Sequence, residues 1–180
     1  MKRMKRISVF MIMVGLFSWV AAAQTITGKA ADRPNFAGTW ERVDSSSTLR
    51  NRTLVITQSE GEIVIEDSFE FAKEPYTNKI TLYTDKRGES NRIWIPGGDA
   101  PIEIRSRTAW EKNKLVRSAQ YESMIAILGR QSRQIIQEDQ TYSLSEDGNT
   151  LTVRITPRRE TPFAINPLFT TGKSLYRRKN

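Results

Sequence analysis

The sequence predicts an all-β protein, an antiparallel up-and-down β-barrel of about eight to ten strands. From Phe36 onward the chain is a succession of short runs rich in β-branched and aromatic residues. These are cut by Gly, Asn and Asp about every 8 to 15 residues, and no apolar period is long enough for a three-turn helix. Three of the turns also pass an internal test. Residues opposed across a tight turn must share a face, and in each hairpin apolar residues fall opposite one another.

The first 23 residues do not belong to that pattern. Lys2, Arg3, Lys5 and Arg6 precede a 14-residue stretch, Ile7 to Val20, whose only polar residues are Ser8 and Ser18, and Ala21-Ala22-Ala23 follows. This is the build of a signal peptide cleaved before Gln24. Even Ile7 to Ala23, at 17 residues, is at the lower edge of what spans a bilayer of ~30 Å, which disfavours a retained anchor. Without cysteine a lipoprotein anchor is excluded as well, so the expected product is exported, periplasmic or extracellular, with no stable membrane anchor. The expected organisation is residues 1–23 as signal peptide, 24–33 as a polar leader and 34–180 as one barrel domain.

Residues 24–180 keep 24 basic against 20 acidic residues, a net charge of +4. Because the signs alternate along the strands, with only Arg177-Arg178-Lys179 as a run, nucleic-acid binding is not expected.

The first strand starts at Phe36. Glu60-Gly61 turns Thr53–Gln58 into Glu62–Glu70, with Ile56 opposite Ile65 and Gln58 opposite Ile63. Lys79–Thr84 and Asn91–Ile95 make a looser pair joined through Asp85–Ser90. Around Lys112-Asn113, Trp110 pairs with Leu115, Thr108 with Arg117, Ser106 with Ala119 and Ile104 with Tyr121. Tyr121–Gly129 is open among a strand end, one helical turn and a loop closing a barrel mouth. Asp147-Gly148 is a hairpin signal that sets Leu144 opposite Leu151, Tyr142 opposite Val153 and Gln140 opposite Ile155. A Pro-rich connector, Pro157–Pro167, leads to the last strand, Lys173–Arg178.

The chain has no cysteine and no histidine. Thiolate and imidazole metal sites, Ser-His-Asp and Cys-His systems and histidine general bases are therefore excluded, and no cofactor is called for. Carboxylates alone remain for catalysis. Glu66-Asp67, Glu138-Asp139 and Glu146-Asp147 are adjacent in sequence, which sends the two side chains of a strand pair to opposite faces. Glu138 alone falls on the predicted inner face, so no catalytic pair is expected. The inward polar residues are Arg117, Ser106, Thr108, Tyr121, Gln140 and Tyr142, beside Trp110 and flanking isoleucines. They are the candidate ligand-binding set, with Arg117 foremost, because a buried guanidinium requires a partner.

At Phe36-Ala37-Gly38-Thr39-Trp40, followed about 130 residues later by Ser174-Leu175-Tyr176-Arg177, the chain resembles the lipocalin and fatty-acid-binding-protein (calycin) superfamily. It looks closest to bacterial secreted lipocalin-like proteins, whose hairpins read as Trp110–Val116 and Ser145–Thr152 do here. The resemblance implies that Gly38, Trp40, Tyr176 and Arg177 form a structural signature. In it Trp40 plugs one end of the barrel under an arginine, Arg177 or Arg154, in a cation-π contact of ~0.5–2 kcal/mol. Two features depart from it. Asp44–Arg52 is too short for a two-helix lid, and Ser174 stands where fatty-acid binders carry the first arginine of Arg-x-Tyr. The expected function is binding of a small hydrophobic or amphipathic ligand in the interior, an anion being the form Arg117 would take. The alternative is a filled barrel whose loops contact a protein or envelope polymer.

Overall fold

The computed structural model describes residues 33–44, 49–95, 98, 100–127, 130–158 and 172–179, without the side chains of 123–132. The predicted signal peptide, most of the leader and most of the Pro-rich connector lie outside these residues. Ten strands are present: β1 (Gly38–Arg42), β2 (Arg50–Ser59), β3 (Glu62–Phe71), β4 (Glu74–Tyr83), β5 (Glu89–Ile93), β6 (Ile102–Glu111), β7 (Lys114–Ile127), β8 (Arg130–Leu144), β9 (Thr150–Pro157) and β10 (Gly172–Lys179). They form one antiparallel sheet in the order β4-β3-β2-β1-β10-β9-β8-β7-β6-β5, curled into a nearly closed barrel. No helix occurs among the described residues.

The hairpin registers follow from alternation. Ile56 lies opposite Ile65, Thr108 opposite Arg117 and Gln140 opposite Ile155, as the matching of faces requires. The β8–β9 connection is a four-residue loop, however. Gly148 N–H donates to Ser145 O at 3.0 Å, and Ser145 N–H to Thr150 O at 2.9 Å. Of the stretch from Tyr121 to Gly129, the described part up to Ile127 continues as strand, pairing with β8 down to Arg130. The hairpin between β3 and β4 has no sequence signal, because its turn residues are Ala72 and Lys73 at φ 50° and 72°. Left-handed backbone at two non-glycine residues costs ~1–2 kcal/mol each.

One end of the barrel gathers the β2–β3, β6–β7 and β8–β9 turns and is filled by Phe36, Trp40, Ile63, Leu82, Leu115 and Leu151, all buried. Trp40 donates its indole N–H to Phe36 O at 2.8 Å, and its ring lies 4.3 Å below a guanidinium. That guanidinium is Arg178, which corrects the expected Arg177 or Arg154. The β1–β10 register sets Trp40 opposite Arg178, so Arg177 faces the other side and is exposed. Arg178 also donates to Ala37 O at 2.6 Å, Asn35 O at 3.3 Å and Gly148 O at 3.2 Å. Gly38 makes this possible. Its φ is +135°, and a Cβ there would stand 2.7 Å from Arg178 Nη1.

The sheet closes between β4 and β5 without a backbone ladder, which corrects the expected pairing of these two runs. Side-chain amides replace it. Asn91 accepts from Thr81 N–H at 2.8 Å and donates to Thr81 O at 2.9 Å, while Asn78 accepts from Trp94 N–H at 2.7 Å and donates to Trp94 O at 3.1 Å. Each asparagine satisfies both polar groups of a peptide on the facing edge, and both are buried.

Replacing Asn91 with Ala should lower folding stability by about 2–4 kcal/mol, because two Thr81 backbone groups lose their partner. Urea denaturation measures the loss, and faster hydrogen exchange at the Thr81 amide localises it to the seam. In the β3–β4 turn, Lys73→Gly should raise the denaturation midpoint by the equivalent of about 1 kcal/mol. A lower midpoint would mean that the lysine side chain outweighs its backbone strain.

Candidate functional site

The middle of the barrel is polar, and its parts come from facing strands. Arg117 on β7 is 1% exposed. Its Nε donates to Ser106 Oγ on β6 at 2.9 Å and its Nη1 to Gln140 Oε1 on β8 at 3.3 Å. Each of these partners leads to a carboxylate. Ser106 and Thr108 donate to Glu89 Oε1 on β5 at 2.8 and 2.7 Å, and Gln140 Nε2 donates to Glu138 Oε1 at 2.6 Å. Tyr142 adds a 3.0 Å bond to Gln140 Oε1, and Tyr121 reaches Glu138 Oε2 at 3.5 Å. A continuous hydrogen-bonded chain therefore crosses four strands.

Among the described residues Arg117 Nη2 has no hydrogen-bond partner, although it is buried. A guanidinium N–H removed from water and left unmade is an expensive arrangement, and a native structure that keeps it calls for an explanation. This nitrogen's side chain lines a cavity of about 80 Å³, together with Gln140, Tyr142, Ser174, Tyr176 and the apolar Leu54, Ile65, Ile80, Ile93, Ile104, Val153 and Ile155. The Ser174 and Tyr176 hydroxyls make no hydrogen bond among the described residues, so they too are available to a guest.

Opposite Arg117 the cavity wall carries a second guanidinium, already engaged. Arg52 donates from Nε and Nη2 to the two oxygens of Asp67 at 2.9 and 2.7 Å, a bidentate pair. A bulge shifts the β2 register between Arg50 and Thr53, with Asn51 at φ 51°. Bulges commonly re-aim a neighbouring side chain in this way.

Of the residues expected at the site, Arg117, Gln140 and Tyr142 reach the cavity. Ser106 and Thr108 stand behind it, holding Glu89. Tyr121 also lines a separate outer groove of about 430 Å³ with Glu103, Arg105, Gln120 and Glu122. Trp110 lies apart, half-buried at the plugged end, stacked on Phe36 at 5.5 Å with Arg33 over its ring at 5.9 Å. Tyr176, assigned by resemblance to the structural signature, lines the cavity instead of the Trp40 plug. Arg52, Asp67, Glu89 and Ser174 were not anticipated, and Glu138 is not the sole inward carboxylate. The signal was present, since Arg52 shares its parity with Leu54 and Ile56, and Asp67 shares its own with Ile63 and Ile65.

Burial pushes the Glu138 carboxyl above its ordinary range, with the Gln140 bond and the Arg117 charge pulling it back. Burial likewise raises the phenols of Tyr121 and Tyr142, and that of Tyr176 up to about 12. Comparison with protein-family models gives no match, and comparison with curated protein sequences gives none.

The Tyr176 phenol ionises near 10 in an unfolded chain and near 12 when folded. Above ~10 the unfolded state therefore holds fewer protons than the folded one, and stability falls as pH rises through this window. Denaturation midpoints should decline from about pH 10 upward, and Tyr176→Phe should decline less steeply. Parallel curves for the two proteins would place the alkaline loss elsewhere.

Proposed function

We propose that the protein is an exported, lipocalin-like barrel that binds a small, partly hydrophobic ligand in its interior, through an acceptor oxygen placed at Arg117. One observation carries the reading. Arg117, a buried guanidinium with one nitrogen unpartnered among the described residues, lines a cavity together with two uncommitted hydroxyls and a wall of aliphatic side chains. A barrel built only for rigidity would gain from apolar residues here, since polar groups withdrawn from water stabilise only when fully satisfied. Binding pockets combine an apolar lining with a few placed polar groups, which is the composition of this wall.

The volume bounds the ligand. About 80 Å³ holds two or three waters at ~30 Å³ each, well below the ~300 Å³ at which pockets for drug-sized molecules begin. A carboxylic acid with a short alkyl chain fits this description, and a long-chain fatty acid does not. Ser174 in place of the Arg-x-Tyr arginine points the same way, with Arg117 supplying a cation from another strand.

Native mass spectrometry of the protein from its own compartment should show a chain beginning at Gln24 and carrying a low-mass adduct. Arg117→Met should remove the adduct while leaving the folded charge-state distribution. A bare mass for the wild type, with no change on adding short-chain carboxylates, would sink the reading.

A further inference from the structure

Arg52 gives its Nε and Nη2 to the two oxygens of Asp67, so its charge is already balanced by that carboxylate. A ligand in the cavity is therefore left with one cation, Arg117. That cation already faces two carboxylates, each held one group away: Glu89 behind Ser106, and Glu138 behind Gln140. An entering anion would be the third negative charge around a single positive one, in an interior where water does not screen. Such a site accepts an anion only when one of its own carboxylates is neutral.

We propose that the site takes up a monocarboxylate together with one proton, which Glu138 carries, and that it rejects dianions. This rests on the interior-binding reading above. The two carboxylates are not equivalent. Glu89 accepts from Ser106, from Thr108 and from the Tyr83 backbone N–H at 3.4 Å, so its oxygens already have three donors. Glu138 has one short bond, from Gln140, and a 3.5 Å approach from Tyr121.

Among the described residues, the charged and titratable groups facing Glu138 are few. From β7 they are Arg117 and Tyr121, and Gln140 is its polar neighbour on β8. Asp139 points to the other face, where Ser118 and Arg158 hold it. β9 sets Pro157 opposite Glu138 and offers no ionisable group there. Burial already raises this carboxyl in the empty barrel. A bound anion nearby raises it further, so binding and protonation favour each other by linkage. Affinity is then highest at low pH and falls as pH rises from the free toward the liganded Glu138 value. The balance is simple: one anion and one proton enter, and the interior charge does not change.

The test titrates butyrate into the purified protein between about pH 5.5 and 7.5, reading affinity by NMR and counting protons by calorimetry in buffers of different ionisation heat. Expected are uptake approaching one proton per butyrate, affinity falling by up to about tenfold per pH unit, and no binding of succinate. Glu138→Gln should bind butyrate with no proton uptake and with pH-independent affinity. Wild-type binding of butyrate without proton uptake, or succinate binding as tightly, overturns the proposal while leaving interior binding standing. Failure of butyrate to bind at every pH overturns both. The wild-type proton count decides the matter whether or not the variant folds.

Discussion

Closure of the sheet is the constraint on which the rest of this structure depends. The chain builds two meanders, β1–β4 and β5–β9, and a barrel needs them joined along two edges. β10 makes one junction with full ladders to β1 and β9. At the other, β4 and β5 share no backbone ladder, and Asn78 and Asn91 bridge the two edges with their own amides. An unpaired edge is a template for association with other chains. Here the backbone groups of Thr81 and Trp94 at the seam are occupied from within, by residues whose side chains have the same donor and acceptor as a peptide.

A nearly closed wall shields most of the interior from water, and that raises the stakes for every polar group inside. Arg52 and Asp67 answer this by pairing, Glu89 by collecting three donors, and Gln140 by linking Arg117 to Glu138. Arg117 Nη2 and the Ser174 and Tyr176 hydroxyls, which have no hydrogen-bond partner among the described residues, are exceptions. Proteins that are consistent at every other level tend to break the rules where they act on something else. The plugged end offers a contrast within the same molecule, since Trp40, Phe36 and Arg178 leave no donor unsatisfied there and nothing for a ligand to do.

The barrel was legible in the sequence because side-chain alternation has a period of two, and a hairpin that matches apolar faces across its turn tests itself. Ile56 with Ile65 and Tyr142 with Val153 could be read without coordinates. The β3–β4 turn could not, because Ala72 and Lys73 carry none of the residue preferences that mark left-handed backbone. Nor could the seam, which depends on curvature that brings distant edges together. For the site, parity placed Arg117, Gln140 and Tyr142 inward, and the same reasoning extended to β2, β3 and β5 would have added Arg52, Asp67 and Glu89. The stacking partner of Trp40 was missed by one residue, and one residue in a strand is the difference between two faces.

The Arg178 clasp joins the two ends of the fold, holding Asn35 and Ala37 from a position near the C-terminus of the chain. Since β10 lies between β1 and β9 in the sheet, the two meanders share no ladder until residues 172–179 arrive. Their union is the most non-local step in the topology and the slowest kind to form. Joining of the two meanders along this edge therefore waits for β10, whichever of them forms first.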